Sequence, residues 1–230
     1  MRIDGLQKMT LLDFPGKVAC TVFTGGCNFR CPFCHNALLV TELPENPDYT
    51  ADDVLDFLKK RSGLLDGVAI TGGEPLMNPD IPDFIKEIRK LGYQVKLDTN
   101  GSYPDRLESI VSDGLVEYVA MDIKNCKEKY AETIGLKEYD LSKIEKSVDF
   151  LKSGTVDYEF RTTVVREFHT VDDIRKAAQW ISGAKRYFLQ NFVDSGNLID
   201  ESVSGVDKET MLRMRSAAAD FVPTTEIRGI

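Results

Sequence analysis

Short apolar runs and amphipathic stretches alternate along this 230-residue chain. Runs rich in β-branched and aromatic residues predict six strands, over residues 18–24, 67–71, 93–98, 117–123, 157–165 and 186–190. Apolar residues at helical spacing predict helices over 52–61, 81–91, 105–111, 141–152, 171–181 and 207–221. Strands that alternate with helices in this way pair in parallel through right-handed crossovers.

The number of strand–helix units separates a closed barrel from an open one. A complete eight-unit barrel takes ~250 residues, whereas this chain provides about six units in 230 residues. A doubly wound sheet is the alternative. We expect an α/β fold, a partial (β/α)6 TIM-type barrel with parallel strands that is open on one side. Residues 43–50 are rich in Pro, Asn and Asp and predict a loop, not a linker, so we expect a single domain over 1–230.

Composition and charge restrict the possible partners. Hydrophobic residues make up 42% and charged residues 29%, and the net charge is −8. An acidic chain without basic clusters argues against duplex nucleic acid, because that binding depends on neutralising phosphates. No apolar run approaches the ~20 residues of a membrane span, and residues 1–4 lack the apolar core of a signal peptide. We therefore expect a cytoplasmic protein with no membrane association and with reduced thiols.

The unusual polar and small residues fall at the carboxyl ends of the predicted strands. These segments are 25–34, 71–75, 98–102, 121–124, 161–163 and 190–191. Parallel α/β folds build their active sites at this end of the strands. The sequence therefore predicts one site formed by several loops.

Three cysteines, Cys27, Cys31 and Cys34, follow the first predicted strand. A 4Fe–4S cluster normally takes four thiolates, so a cluster held by these three would leave one iron open to a ligand. Two alternatives remain at this point. One is a zinc site with His35 as the fourth ligand, although adjacent residues rarely reach the same ion. The other is a redox pair formed by Cys31 and Cys34, which leaves Cys27 without a role.

Other strand-end residues have both structural and ligand-binding interpretations. The Gly72–Gly73 pair allows a ligand to approach the backbone closely, or forms a tight turn. Asp98 and Asp122 can hold a cation or an ammonium group, or cap turns. Lys124 is two residues after Asp122 and should share its face of the strand. A zwitterionic ligand would suit such a pair, and a solvent-exposed ion pair is the alternative.

Arg161 is a charged residue inside an apolar strand, so we expect it to point into the barrel. His35 and His169 are the only histidines. Neither is next to an obvious serine or aspartate partner, which argues against a hydrolytic triad.

The motif Cys27-x3-Cys31-x-Phe33-Cys34, followed by Gly72-Gly73-Glu74-Pro75, resembles the radical S-adenosylmethionine superfamily. The segments 13–17 and 34–36 are similar to activating proteins of glycyl-radical enzymes, the branch that activates anaerobic ribonucleotide reductase and pyruvate formate-lyase. The resemblance runs from about Ile3 to Arg228. It implies an oxidoreductase that cleaves S-adenosylmethionine reductively to a 5′-deoxyadenosyl radical. In this branch the radical takes a hydrogen atom from a glycine of a partner protein, a glycyl-radical enzyme, and flavodoxin or ferredoxin supplies the electron.

The resemblance also implies roles for individual residues. Cys27, Cys31 and Cys34 would ligate one 4Fe–4S cluster, and residues 37–70 contain no cysteine for a second. Phe33 would lie by the adenine, the Gly72–Gly73 backbone would meet the methionine ammonium, and Lys124 would pair with the carboxylate. The complete set implied for the cofactor is Phe33, His35, Gly72, Gly73, Glu74, Asp98, Thr99, Asp122, Lys124 and Gln190. Relatives can also bind a monovalent cation near the positions of Asp98 and Asp122.

Two other functions remain open. One is a radical enzyme of the same superfamily that acts on a small molecule or peptide, as 7-carboxy-7-deazaguanine synthase does. The other is a non-catalytic zinc-binding module. The segment 13–17 favours the activating branch over the small-molecule branch.

Overall fold

The computed structural model describes residues 1–194 and 196–229. Within these residues, eight strands form one sheet, and their order across the sheet is their order along the chain. The strands are β1 Ile3–Thr10, β2 Ala19–Thr24, β3 Gly67–Gly72, β4 Gln94–Thr99, β5 Tyr118–Asp122, β6 Asp157–Val164, β7 Tyr187–Asn191 and β8 Thr225–Arg228.

Helices connect the parallel strands. They are α1 Leu38–Thr41, α2 Ala51–Lys59, α3 Ile81–Lys90, α4 Pro104–Ser112, α5 Tyr130–Thr133, α6 Ser142–Lys152, α7 Val171–Trp180 and α8 Lys208–Ala219. Two 3₁₀ turns span Pro75–Met77 and Lys127–Lys129. No helix among the described residues is both long and apolar enough to span a membrane.

Strands β2 to β8 pair in parallel throughout, whereas β1 runs antiparallel to β2. The sheet therefore has two edges, β1 and β8, with an opening between them. This open α/β arrangement confirms the expected partial barrel. The six predicted strands correspond to β2–β7, each within one residue at either end. The two edge strands were not predicted.

Local sequence fixes the position of the helices. Thr50 and Thr170 each form a capping box with the aspartate three residues later, which satisfies exposed N–H groups at the starts of α2 and α7. The outward residues of the strands, such as Val95 and Leu97 of β4, belong to one apolar core with the buried faces of the helices. Burial of that core holds the strand ends in place.

The inner face of the barrel is polar because side chains alternate along each strand. In β4, Lys96 and Asp98 alternate with the core residues and form an ion pair. Lys96 is only 2% exposed. At the opposite end of the barrel, Phe14, Ala19 and Tyr118 form a small separate apolar cluster. The Lys96–Asp98 pair thus lies on the inside of the barrel, away from this apolar end.

Candidate active site

A cavity of about 380 Å³ lies at the carboxyl ends of the strands. It brings together residues that are distant in the sequence, as the strand-end pattern predicted. The predicted residues that line it are Cys27, Cys31, Cys34, Phe33, His35, Gly72, Gly73, Asp98, Thr99, Asp122, Lys124 and Gln190. Glu74 is the one predicted residue that does not line it.

The cysteine loop follows β2 and folds back on itself so that all three sulfurs reach the same cavity. Gly26 has a φ of +87°, which favours glycine, and its N–H donates to the Leu39 carbonyl at 2.8 Å. The Cys34 N–H donates to the Cys31 carbonyl at 3.1 Å and closes a turn. Burial raises the pKa of the Cys27 thiol to about 11 and that of Cys31 to about 12. The cavity therefore holds thiols whose ionisation needs a positively charged partner.

The position of His35 bears on the zinc alternative. Among residues 1–194 and 196–229, no three His, Cys, Asp or Glu side chains converge on a point suitable for one ion. The His35 Nε2 atom lies 2.9 Å from the Val193 carbonyl, and its ring stacks on Phe192 at 5.2 Å. A zinc ion held by three cysteines and His35 is not supported by this arrangement. Three thiols around one cavity fit a cluster, whose iron atoms are spread over several positions.

The Gly72–Gly73 pair is explained first by close packing. A Cβ at Gly72, where φ is +119°, would lie 2.3 Å from the Thr24 backbone. A Cβ at Gly73 would lie 1.9 Å from the Gly26 carbonyl oxygen. The Asn36 side chain also donates to the Gly72 carbonyl at 2.9 Å. These glycines let the loops after β2 and β3 touch, and both glycines also line the cavity.

Glu74 lies behind the cavity wall and is fully buried. Its carboxylate accepts hydrogen bonds from the Leu76 N–H at 3.1 Å, the Thr99 hydroxyl at 2.7 Å and the Asn100 N–H at 2.6 Å. Burial outweighs these bonds and raises the pKa of Glu74 to about 7. Its place in the structure is to fasten the end of β3 to the end of β4, which agrees with a supporting role for this turn.

Five charged residues form a continuous network along β4, β5 and β6. Arg161 bridges Asp98 at 3.1 Å and Asp122 at 3.0 Å, Lys124 pairs with Asp122 at 2.8 Å, and Lys96 pairs with Asp98. Burial works to raise the pKa of Asp122, but the Arg161 and Lys124 cations lower it to about 2. Of the cations in this network, Lys124 and Arg161 line the cavity, whereas Lys96 lies behind it.

This network bears on the expected monovalent cation. Each carboxylate oxygen of Asp98 and Asp122 already accepts a bond from a cationic side chain. A monovalent ion at this place would share these oxygens with Arg161 and the two lysines, whose positive charges repel it. The cation therefore stays a prediction without support from this geometry.

Aromatic residues form the opposite wall. Phe33 is 3% exposed and packs against Phe168 at 5.7 Å and His169 at 6.3 Å between ring centroids. Nε2 of His169 lies 2.8 Å from the Lys124 carbonyl oxygen, which ties this wall to the charged network. Gln190, at the end of β7, lines the same cavity.

Several lining residues were not among the predicted cofactor contacts. They are Gln7, Asp13, Thr21, Phe23, Phe29, Asn36, Val40, Thr71, Asn100, Arg161 and Thr163. Arg161 was expected to point into the barrel, and Asp13, Asn36 and Asn100 lie inside motifs that the sequence already marks. Gln7 had no such signal because its strand, β1, was not predicted.

Comparison with known proteins identifies relatives of this fold and site. The model of the Radical SAM superfamily matches residues 21–181. A protein of Methanocaldococcus jannaschii, provisionally named a glycyl-radical enzyme activating enzyme, is 30% identical over 99% of this chain and 96% of its own length. The pyruvate formate-lyase-activating enzyme of Clostridium pasteurianum is 31% identical over 54% of this chain and 52% of its own. The 7-carboxy-7-deazaguanine synthase of Methanopyrus kandleri is 33% identical over 48% and 51%.

A solved structure shows the same fold. Streptococcus suis SuiB bound to S-adenosylmethionine superposes with a TM-score of 0.70 at 15% identity, covering 89% of this chain and 48% of SuiB. This chain thus spans about half the length of SuiB. At this identity the likeness concerns the fold. Together with the match over residues 21–181 and the near full-length relative, it shows that the chain belongs to the radical SAM superfamily.

Proposed function

We propose that this radical SAM enzyme activates a partner protein by generating a glycyl radical on it. The observation that carries the proposal is the 30% identity to an activating-enzyme relative over nearly the full length of both chains. The cavity, which is lined by three cysteines and by the Lys124 and Arg161 cations, supports the same function. The anaerobic ribonucleotide reductase is the partner that we propose.

The residues around the cavity fit the two cofactors of this superfamily. Cys27, Cys31 and Cys34 would hold one 4Fe–4S cluster, because their thiols are the donors that such clusters take. When bound, the cluster and S-adenosylmethionine supply one-electron reductive cleavage of the sulfonium and, from it, hydrogen-atom abstraction. We propose flavodoxin or ferredoxin as the protein that delivers the electron.

The chain itself contributes binding, orientation and exclusion of water. The positive charge at Lys124 would bind the carboxylate of S-adenosylmethionine, and Arg161 holds Asp122 so that Lys124 keeps its position. The Gly72–Gly73 backbone lines the cavity and would accept hydrogen bonds from the ammonium group. Holding the cofactor at a fixed place removes the need for a diffusional search before the reaction.

The cavity has room for a cofactor, so we propose that the substrate reaches it through the open side of the barrel. Ligand pockets typically measure ~300–1,000 Å³, so about 380 Å³ is enough for one molecule of cofactor size. The opening between β1 and β8 leaves a route for a glycine-containing segment of a protein. A small-molecule reaction is the second candidate, supported by the identity to the 7-carboxy-7-deazaguanine synthase.

The test uses anaerobically reconstituted protein, S-adenosylmethionine, dithionite and purified anaerobic ribonucleotide reductase, followed by EPR. We expect a glycyl-radical signal that does not form when the reductase carries alanine in place of its reactive glycine. Cleavage of S-adenosylmethionine without any radical on the reductase would contradict the proposed partner. If the substrate of 7-carboxy-7-deazaguanine synthase then accelerates cleavage of S-adenosylmethionine, the small-molecule reaction replaces activation of a partner protein as the proposed function.

A further inference from the structure

Cys27 differs from the other two candidate ligands in its hydrogen bonds. Among residues 1–194 and 196–229, it is the only one of the three whose sulfur accepts a bond from a side chain. The Asn100 amide donates to Sγ of Cys27 at 3.8 Å, and the Phe29 N–H donates to it at 3.3 Å. Asn100 follows β4, so this bond joins the cysteine loop to a different strand end.

The amide of Asn100 is held in one orientation. Its Oδ1 accepts from the Ser102 N–H at 2.9 Å and from the Ser102 hydroxyl, so its nitrogen has to face the other way. That nitrogen also donates to Oδ1 of Asn28 at 3.0 Å. The surrounding bonds, rather than a free choice of rotamer, thus direct the N–H group to Cys27.

The backbone beneath Asn100 is equally constrained. Its N–H donates to the buried Glu74 carboxylate at 2.6 Å. Asn100 is only 6% exposed and Ser102 is 3% exposed. In such a poorly hydrated place a hydrogen bond is stronger electrostatically than in water.

We infer that Asn100 is a positioning residue for Cys27 and that its N–H···S bond raises the reduction potential of the cluster that Cys27 would hold. One-electron reduction by an external donor adds one negative charge to the cluster and its thiolates. A donor aimed at a thiolate sulfur stabilises that added charge, and hydrogen bonds to sulfur are among the factors that set cluster potentials. The inference rests on the proposed function, because it requires the 4Fe–4S cluster.

The test is an EPR-monitored redox titration of reconstituted protein before S-adenosylmethionine is added. Asn100→Ala removes the donor and keeps the backbone bond to Glu74. We expect the ratio of reduced to oxidised cluster at a fixed potential to fall about tenfold, which corresponds to a shift of about 59 mV to lower potential. An unshifted potential in Asn100→Ala with normal iron content would overturn the inference.

Ser147→Ala is the matched control. The Ser147 hydroxyl donates to the Gly101 carbonyl at 2.7 Å, so it holds the same loop without touching a sulfur. Its potential should equal that of the wild type, and an equal shift in both variants would mean that loop packing, not the N–H···S bond, is responsible.

A second variant covers the case in which Asn100→Ala takes up no cluster. Ser102→Ala keeps the donor but removes one of the bonds that orient it, so we expect a smaller shift to lower potential. No shift in Ser102→Ala would then overturn the inference. Wild-type protein that takes up no 4Fe–4S cluster refutes the proposed function itself, which is a different result from a cluster with an unchanged potential.

Discussion

Arg161 is the centre of the charged network, and its replacement gives the sharpest test of how the site is held. Its guanidinium donates to Asp98 and to Asp122 at 3.1 and 3.0 Å, and its side chain is 15% exposed. Arg161→Gln removes the positive charge while keeping a polar side chain of intermediate length. Each carboxylate keeps one cation, Lys96 on Asp98 and Lys124 on Asp122.

The structure sets the expected size of the effect. Burial opposes ionisation of Asp122, but its cationic neighbours, Arg161 before Lys124, shift the pKa from 3.8 to about 2. At about 1.4 kcal/mol per pKa unit, this corresponds to about 2 kcal/mol of stabilisation. Removing one partner of a buried ion pair costs about 3–5 kcal/mol when the other is left unpaired. Because both carboxylates keep a lysine, we expect Arg161→Gln to lower the free energy of unfolding by about 2 kcal/mol.

Urea unfolding of the metal-free protein at pH 7 measures this loss. Arg175→Gln is the control, since Arg175 pairs with Asp172 on the surface of α7 and is 47% exposed. Such exposed pairs contribute about 0–1 kcal/mol. A loss in Arg161→Gln no larger than in Arg175→Gln would refute the reasoning that Arg161 holds the two carboxylates.

The loss of stability in Arg161→Gln relative to wild type should also depend on pH. The folded-state pKa of Asp122 is depressed, so its stabilisation is fully present above the unfolded pKa near 3.8 and is lost as the pH falls toward 2. The difference in the free energy of unfolding between wild type and Arg161→Gln should therefore shrink as the pH falls from 5 to 2. A difference that grows on acidification would contradict the assignment.

Three further predictions concern single residues. Cys31→Ala should lose the iron and sulfide of the reconstituted protein, whereas Cys126→Ala should retain both, because Cys126 is a buried cysteine that does not line the cavity; full retention in Cys31→Ala would remove Cys31 as a ligand. Lys124→Met should raise the Kd of S-adenosylmethionine by about 10- to 100-fold in calorimetry, since hydrogen bonds to charged groups contribute about 1.5–3 kcal/mol, and an unchanged Kd would contradict the carboxylate contact. Glu74 has a raised pKa of about 7, so its ionisation makes wild-type stability fall as the pH rises from about 4.5 to 7. Glu74→Gln should lack this component in urea unfolding, and an unchanged pH profile would show that Glu74 is not its source.

The sequence allowed most of the scaffold to be predicted because its central strands are marked locally. Strands β2–β7 are apolar runs of strand length between clear helices, and such runs need no long-range information. The edge strand β1 contains Gly5 and three successive exposed residues, 7–9, so its pattern is weak. The four residues of β8 are too few for any periodicity. Both edges form through pairing with a neighbour that the local pattern does not reveal.

The same distinction applies to the cavity. Topology alone predicted that motifs from several strands would meet, and the structure brings them together. The direction of individual side chains could not be predicted from the sequence, because residue spacing does not tell whether Glu74 faces the cavity or lies behind it. The bonds of Asn100 to Cys27 and Asn28 join loops more than 70 residues apart. No local pattern in the sequence carries information of that kind.

The two edge strands of the sheet, β1 and β8, have a consequence for contacts with other chains, although Tyr49 bridges β1 at Ile3. A free strand edge offers its main-chain groups to any other extended chain, and natural proteins limit this hazard with short strands, irregular pairing and surface charge. All three are found here: β8 has four residues, the register between β1 and β2 shifts twice, and Lys8 and Glu226 are exposed on the edge strands. These features each reduce the chance that another strand pairs with the edges of the unclosed barrel.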